Sequence, residues 1–353
     1  MPHKQRLLIL TEGQLGVFSS KTATSVIRYR PDEIAAVLDS QHAGEDLGAI
    51  LGVGHGVPIV CSVADALPTR PTALLIGIAP RGGALPDEWR RILREAIENR
   101  LDIISGLHTF LSEDDEFVRL AAQYGVKLVD VRRPPDNIPL GRDLARHIPA
   151  LRVLTVGTDC AVGKMVTSIE LDREARCRGW RSHFVATGQT GIMISGEGVP
   201  IDRVISDFVA GAIEDELLRR EQADLLSIEG QGTLIHPAYS GVTLGLIHGS
   251  APDGLILCHH AGRTAIRGYE EVPIPPLSEM IELHHVITRP LYPSRVIGIS
   301  LNCVGLSNDE ARRHCAEAAA TTGLPATDPI RFGSGPLMDA VKQLRATLRR
   351  PQR

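Results

Sequence analysis

At 353 residues the chain is long enough for about two or three domains, each with a buried core. Its 38 Lys plus Arg stand against 42 Asp plus Glu, a formal net charge of -4, which argues against a protein that wraps a polyanion by bulk charge. The hydrophobic fraction of 43%, with only 4% aromatic, argues against disorder and favours layered α/β packing over an aromatic-rich sandwich.

The opening residues run directly into Leu7-Leu8-Ile9-Leu10, an apolar stretch too short for a signal peptide or a membrane span. Six scattered cysteines show no metal-ligand spacing. A reduced cytoplasmic protein that binds neither membrane nor nucleic acid is therefore expected, with no metal site. In chain order, strands are expected at Leu7 to Leu10, Ile59 to Val63, Ala73 to Ile78, Asp102 to Ser105 and Lys127 to Val131. Helices are expected at Asp87 to Asn99 and Glu113 to Tyr124, where apolar residues recur every three or four positions. This alternation predicts a parallel sheet covered by helices. Thr11-Glu12-Gly13-Gln14-Leu15-Gly16 and Gly77 to Gly83 are strand-end loops, but no acidic ribose ligand is evident, so dinucleotide binding stays open.

A proline-rich segment from Arg132 to Pro139 interrupts the pattern. The reading is a Rossmann-like domain over 1–140 and a P-loop NTPase-like domain over 148–353, both mainly parallel sheets flanked by helices. In the second domain, strands are expected at Arg152 to Val156, His183 to Thr187, Leu225 to Ile228, Gly254 to Cys258 and Val296 to Leu301. Helices are expected at Lys164 to Arg178, Ile201 to Gln222, Leu277 to Ile287, Asn308 to Thr322 and Gly335 to Leu348. Ligands belong at the carboxyl ends of such strands.

The strongest local signal follows the first of these strands: Gly157-Thr158-Asp159-Cys160-Ala161-Val162-Gly163-Lys164. A Gly-bounded turn that opens a helix presents successive backbone amides to an anion, and Lys164 adds a charge. Five residues separate Gly157 from Gly163, one more than in the usual Walker A loop. The spacing resembles the loop of dethiobiotin synthetase. Met165 stands where a Ser or Thr hydroxyl would hold Mg²⁺, and Thr167 is displaced around the helix, so phosphate binding is expected without efficient hydrolysis.

The second cluster, Glu229-Gly230-Gln231-Gly232-Thr233, follows the strand ending at Ile228 and resembles the Glu-Gly-Ala-Gly-Gly stretch of dethiobiotin synthetase. Glu229 can hold a metal, water or a substrate amine, and His236 is a candidate base near neutrality. His259 and His260 follow another strand; adjacent residues point to opposite faces, so at most one reaches a pocket there. Gln189 lies in a further strand-end loop, Thr187 to Gly191. Arg263, Arg267, Arg289 and Arg331 are candidate carboxylate or phosphate clamps, and Asp202 and Asp207 could pair with an amine or metal. Asn302 ends its strand, where related P-loop proteins read an adenine edge.

Together with the loop Cys258-His259-His260-Ala261-Gly262-Arg263, these motifs resemble, along nearly the whole chain, a two-domain bacterial and archaeal P-loop family. That family was long of unknown function, was often mislabelled as an NAD-dependent epimerase or dehydratase, and includes D-glutamate N-acetyltransferase. The resemblance implies acetyl transfer from acetyl-CoA to the amine of D-glutamate in D-amino-acid catabolism. It further implies a homo-oligomer and a functional partner, an enolase-superfamily racemase of N-acetyl amino acids. The loop would hold the phosphates of CoA. Glu229 or His236 would take the amine proton; loop amides, His259 or His260 would face the oxyanion; Gln189, Gln231, Arg263 and Arg267 would hold the amino acid. The rival readings are an ATP- and Mg²⁺-dependent ligase or kinase and a nucleotide sensor without turnover. An NAD-dependent oxidoreductase fits least.

Overall fold

The computed structural model describes residues 5–17, 19–78, 85–292 and 294–348. The chain forms two compact units, one of residues 1–133 with 192–196, the other of 134–191 with 197–353. Each carries a six-stranded sheet whose strands pair in parallel.

In the first unit the strands are β1 Leu7–Leu10, β2 Ile34–Leu38, β3 Ile59–Val60, β4 Ala73–Ile76, β5 Asp102–Ser105 and β6 Leu128–Asp130. Their order across the sheet is β3-β2-β1-β4-β5-β6, the doubly wound order of a Rossmann-like sheet. β1 and β4 are buried along their whole length, as strands covered on both faces must be. The sequence does not announce β2, Ile-Ala-Ala-Val-Leu, because so short an apolar run lacks alternation. The expected strand from Ile59 stops at Val60 because Ser62 caps a helical turn, Val63–Ala66, by accepting the Asp65 amide. Part of the Gly77 to Gly83 loop, residues 79–83, lies outside the described residues.

The second unit contains β7 Leu151–Gly157, β8 Ser182–Val185, β9 Leu225–Ile228, β10 Gly254–His260, β11 Ala265–Ile266, β12 Tyr269–Pro273, β13 Arg295–Asn302 and β14 Ala326–Thr327. The sheet order is β14-β13-β10-β7-β9-β8; β11 and β12 form a separate antiparallel hairpin. From β7 the chain winds first to β8 and β9 on one side, then to β10, β13 and β14 on the other. The carboxyl ends of β7, β9 and β10 therefore converge where the winding reverses, the usual ligand crevice of an open α/β sheet. All seven residues of β7 are buried. The helices Lys164–Cys177 and Gly335–Thr347 cover one face; Val209–Leu218, Ser240–Ser250, Leu277–Thr288 and Asn308–Thr322 contribute to the core on the other.

One expectation changes. The helix read from Ile201 to Gln222 is regular only over Val209–Leu218. Before it, the Val199 and Ile201 amides bond Ala186 and Thr187 carbonyls, which holds this stretch alongside the segment leaving β8 instead of in a helix. Asp202 and Asp207 consequently sit exposed in short 3-10 turns. Of the other candidate clamps, Arg289 caps the helix Leu277–Thr288 in the turn that follows it, and Arg331 lies in the helical turn Pro329–Phe332. Arg331 donates to the Cys303 carbonyl and to Asn308.

Candidate active site

The loop after β7 is shaped by its glycines and its own charges. Gly163 has φ of 103°, and Ala161 adopts φ of 53°, a left-handed conformation uncommon for a residue with a side chain. Such local strain concentrates at functional sites. The helix begins at Lys164, whose side chain is buried and whose Nζ donates to the Asp159 carbonyl at 2.7 Å. Burial pushes its ammonium pKa down, opposed by the charges of Cys160, Cys258, Asp159 and Glu229. The positive end of the helix and this ammonium thus lie at the same turn.

Met165 is half-buried in the first turn of the helix. Thr167 does not replace the missing hydroxyl: it donates to the Gly163 carbonyl at 2.9 Å and meets Ser300 at 2.7 Å. It is buried behind the loop, so the donor set of a Walker-type Mg²⁺ site does not form. Val162 is core, and Cys160 is half-buried. Asn302 accepts the Val304 amide; its Cβ lies 3.8 Å from where a Cβ on Gly163 would stand, which places it beside the loop.

β9 delivers Glu229 to the neighbouring position, since Leu154 of β7 pairs with Ile228. Glycine at 230 is obligatory, because a Cβ there would stand 1.6 Å from the Thr155 carbonyl oxygen. Glu229 is buried, and one carboxylate oxygen accepts the Thr187 amide at 2.9 Å and the Gly188 amide at 3.2 Å. Burial pushes its pKa up to about 7, against the pull of those two amides and of Lys164. A carboxyl that titrates near neutrality can accept a proton at working pH and return it.

His236 is almost fully buried, and its Nδ1 accepts the Ala238 amide at 3.1 Å. The neutral ring therefore carries its proton on Nε2. Burial lowers its pKa, with Asp159 opposing and Lys164 assisting. Tyr239 and Tyr269 flank the ring at 4.6 Å and 5.2 Å between centroids. Ligating atoms of Asp159, Cys160 and His236 lie within 4.8 Å of one another. Metal-binding chemistry does not fit there, because the Asp159 carboxylate already accepts from Arg263, from the Arg267 amide and from the Cys160 amide, and Arg263 neutralises it.

The histidine pair at the end of β10 resolves clearly. His259 meets the Thr158 hydroxyl through Nδ1 at 2.8 Å, whereas His260 bonds the neighbouring Ala261 carbonyl at 3.0 Å. Of the two alternatives, His259 and not His260 is the one tied to the phosphate loop. Burial, assisted by His260 and Arg263, pushes the His259 pKa down to about 4. A cavity of about 170 Å³ opens beside it, lined also by Leu277, Leu301, His314 and Thr321.

The expected substrate residues are drawn into internal bonds. Arg263 bonds Asp159 at 2.7 Å and the Cys160 carbonyl at 2.9 Å. Arg267 reaches the loop through its backbone amide, leaving its side chain exposed. The Gln231 side-chain amide bonds both the carbonyl and the hydroxyl of Thr187. Gln189 is buried and begins the helix Gln189–Ser195, where a loop was expected. The tyrosines beside His236 carry no signal in the sequence, whereas the amides of Thr187 and Gly188 belong to the strand-end loop read there from Thr187 to Gly191.

In the first unit, the acidic residue after β2 is Asp39, the position a ribose ligand would take. Its fully buried carboxylate instead accepts from Thr11, from the Leu15 and Gln41 amides and meets His42. That is a closed internal network, unlike a dinucleotide site. No helix among the described residues is long and apolar enough to cross a membrane.

Residues 140–338 match the P-loop domain of DUF1611, described as a domain of unknown function, and residues 40–134 match its Rossmann-like amino-terminal domain. The chain belongs to the DUF1611 family. It is 38% identical over 326 residues to a D-glutamate N-acetyltransferase of Tritonibacter scottomollicae, covering 92% of this chain and 95% of that protein. A second protein of that name, from a Pseudoalteromonas species, is 41% identical over 274 residues, covering 77% and 82%. The crystal structure of a DUF1611 protein from Anabaena variabilis superposes with a TM-score of 0.92 at 45% identity, covering 96% of this chain and 99% of that one. These relatives bear out the expected family, the expected two-domain fold and the expectation of an acyltransferase.

Proposed function

We propose that this DUF1611 chain transfers the acetyl group of acetyl-CoA to the amino group of D-glutamate. The observation that carries the reading is Glu229, a buried carboxyl with a pKa near 7 beside a Lys164 loop, in a chain similar to D-glutamate N-acetyltransferases over most of its length. Glu229 takes a proton from the substrate ammonium, and the freed nitrogen attacks the thioester carbon. Negative charge gathers on the carbonyl oxygen, where the Nε2 proton of His236 and the loop amides can meet it. Collapse breaks the carbon–sulfur bond; the proton held by Glu229 leaves on the CoA thiol, and the second ammonium proton, shed by the nitrogen as the amide forms, passes to solvent, so that each turnover releases one proton. The hydrogen bond from Ala238 favours His236 as a donor and Glu229 as the base.

The phosphates of the donor lie on the loop amides and Lys164, and its flexible arm folds back toward Glu229. Such a carrier role needs no Mg²⁺, which suits Met165 and the internally bonded Thr167. The reading includes three further proposals: a place in D-amino-acid catabolism in the cytoplasm, a homo-oligomeric assembly, and hand-over of the N-acetyl product to an enolase-superfamily racemase. Incubating the chain with acetyl-CoA and D-glutamate should yield N-acetyl-D-glutamate and free CoA thiol in equal amounts. Product formed only with Mg-ATP, with ADP released alongside, would replace this reading by the ligase or kinase one.

A further inference from the structure

We infer that Asp159 is a positioning residue: its buried carboxylate straps the β11–β12 hairpin to the phosphate loop and so holds Tyr269 against His236. The hairpin is small, pairing Ala265 with Pro273 and Ile266 with Tyr269 around the turn Arg267-Gly268. Hairpins of this size are marginal alone, so their placement depends on anchors. Ile266 supplies an apolar anchor, being fully buried. The polar anchors both end on one oxygen of Asp159, which accepts Arg263 Nη1 at 2.7 Å on the approach to the hairpin and the Arg267 amide at 3.0 Å in its turn. Arg263 also grips the Cys160 carbonyl, so the same guanidinium spans strap and loop.

A carboxylate with no solvent exposure is costly to bury, and here arginine and two backbone amides offset that cost. What the strap presents is Tyr269, two residues past Arg267, edge-on to His236. Tyr269 is 42% exposed and Tyr239 53%, while His236 between them is 3% exposed. The two rings thus shield a histidine whose tautomer Ala238 has already set. Releasing Asp159 frees the strap, removes Tyr269 and lets water reach the ring.

The test uses the full chain with D159N, Y269L and both together. Hydrogen exchange across residues 261–274 and the side-chain nitrogen spectrum of His236, assigned with an H236Q sample, read the strap and the ring without using activity. D159N should raise exchange at residues 265–273 at least tenfold while β7 and β9 stay protected, and should blur the single Nε2-protonated signature of His236. Y269L should change the His236 signature alone, and the double variant should be no worse than D159N. In acetyl transfer, both single variants should lower kcat about tenfold or more with a smaller change in KM for the amine. Unchanged exchange in D159N, or an unchanged His236 spectrum in Y269L, overturns the inference. If D159N does not fold, the exposed Tyr269 still decides the contact with His236. The inference rests on the proposed activity only in the kinetic arm: a wild type that transfers no acetyl group would sink that activity, while exchange and spectra would still judge the strap.

Discussion

The Oε2 atom of Glu229 accepts the Thr187 amide at 2.9 Å, so the backbone leaving β8 aims the carboxyl at the end of β9. That bond draws on the charged form, whereas burial favours the neutral one and prevails, leaving the pKa at about 7. As a base, Glu229 must be ionised, so kcat/KM should rise with pH through about 7. Glu229→Gln should keep the fold, lose about 10²- to 10⁴-fold in rate and lose that rise. Steady-state rates from pH 5 to 9 check it.

The same shift bears on stability. An acid whose folded pKa exceeds its unfolded value holds its proton more firmly when folded. That contribution is complete below about 4.5 and is lost as pH climbs through about 7. Glu229→Gln, which cannot ionise, should therefore gain relative stability between these values, on the order of 3 kcal/mol at pH 8. Urea unfolding of both proteins at pH 4.5 and pH 8 measures it; a difference that does not grow with pH contradicts the assignment.

His236 is assigned as a donor because Ala238 occupies Nδ1. Glutamine places an amide N–H near the position of Nε2; asparagine is too short. H236Q should keep at least ten times the activity of H236N. Equal losses in the two would indicate a base instead.

His259 and His260 should separate in the same assay. His259→Ala removes the bond to Thr158 and one wall of the neighbouring cavity, and should weaken the donor KM about tenfold. His260→Ala removes only a bond to the next carbonyl and should stay within about twofold. Because burial keeps His259 neutral down to about pH 4, its contribution should not vary between pH 5.5 and 8.

Lys164→Met removes the buried ammonium but keeps its approximate volume. CoA binding by calorimetry should weaken about 10- to 100-fold, in line with loss of a charged hydrogen bond. The melting temperature should hold or rise, since a desolvated cation has gone. Unaltered CoA affinity would place the phosphates of the donor elsewhere.

The order of residues alone determined the alternating strands and helices, the anion-binding turn before Lys164 and the placement of Glu229 after β9, because these depend on local periodicity and on which residues follow a strand. Met165, likewise, already argued against a Mg²⁺ site. Tertiary structure decided the rest. Which of His259 and His260 meets the loop depends on the phase of the pleat, fixed when Cys258 pairs with Gly157 across the sheet. Arg263 reads in the chain as a free clamp and becomes the counter-ion of Asp159, 104 positions away, because folding brings the approach to the β11–β12 hairpin up to the loop. The Glu229 pKa follows the same logic: a carboxyl becomes a near-neutral base only when packing removes its water, and no pattern of neighbours along the chain measures that.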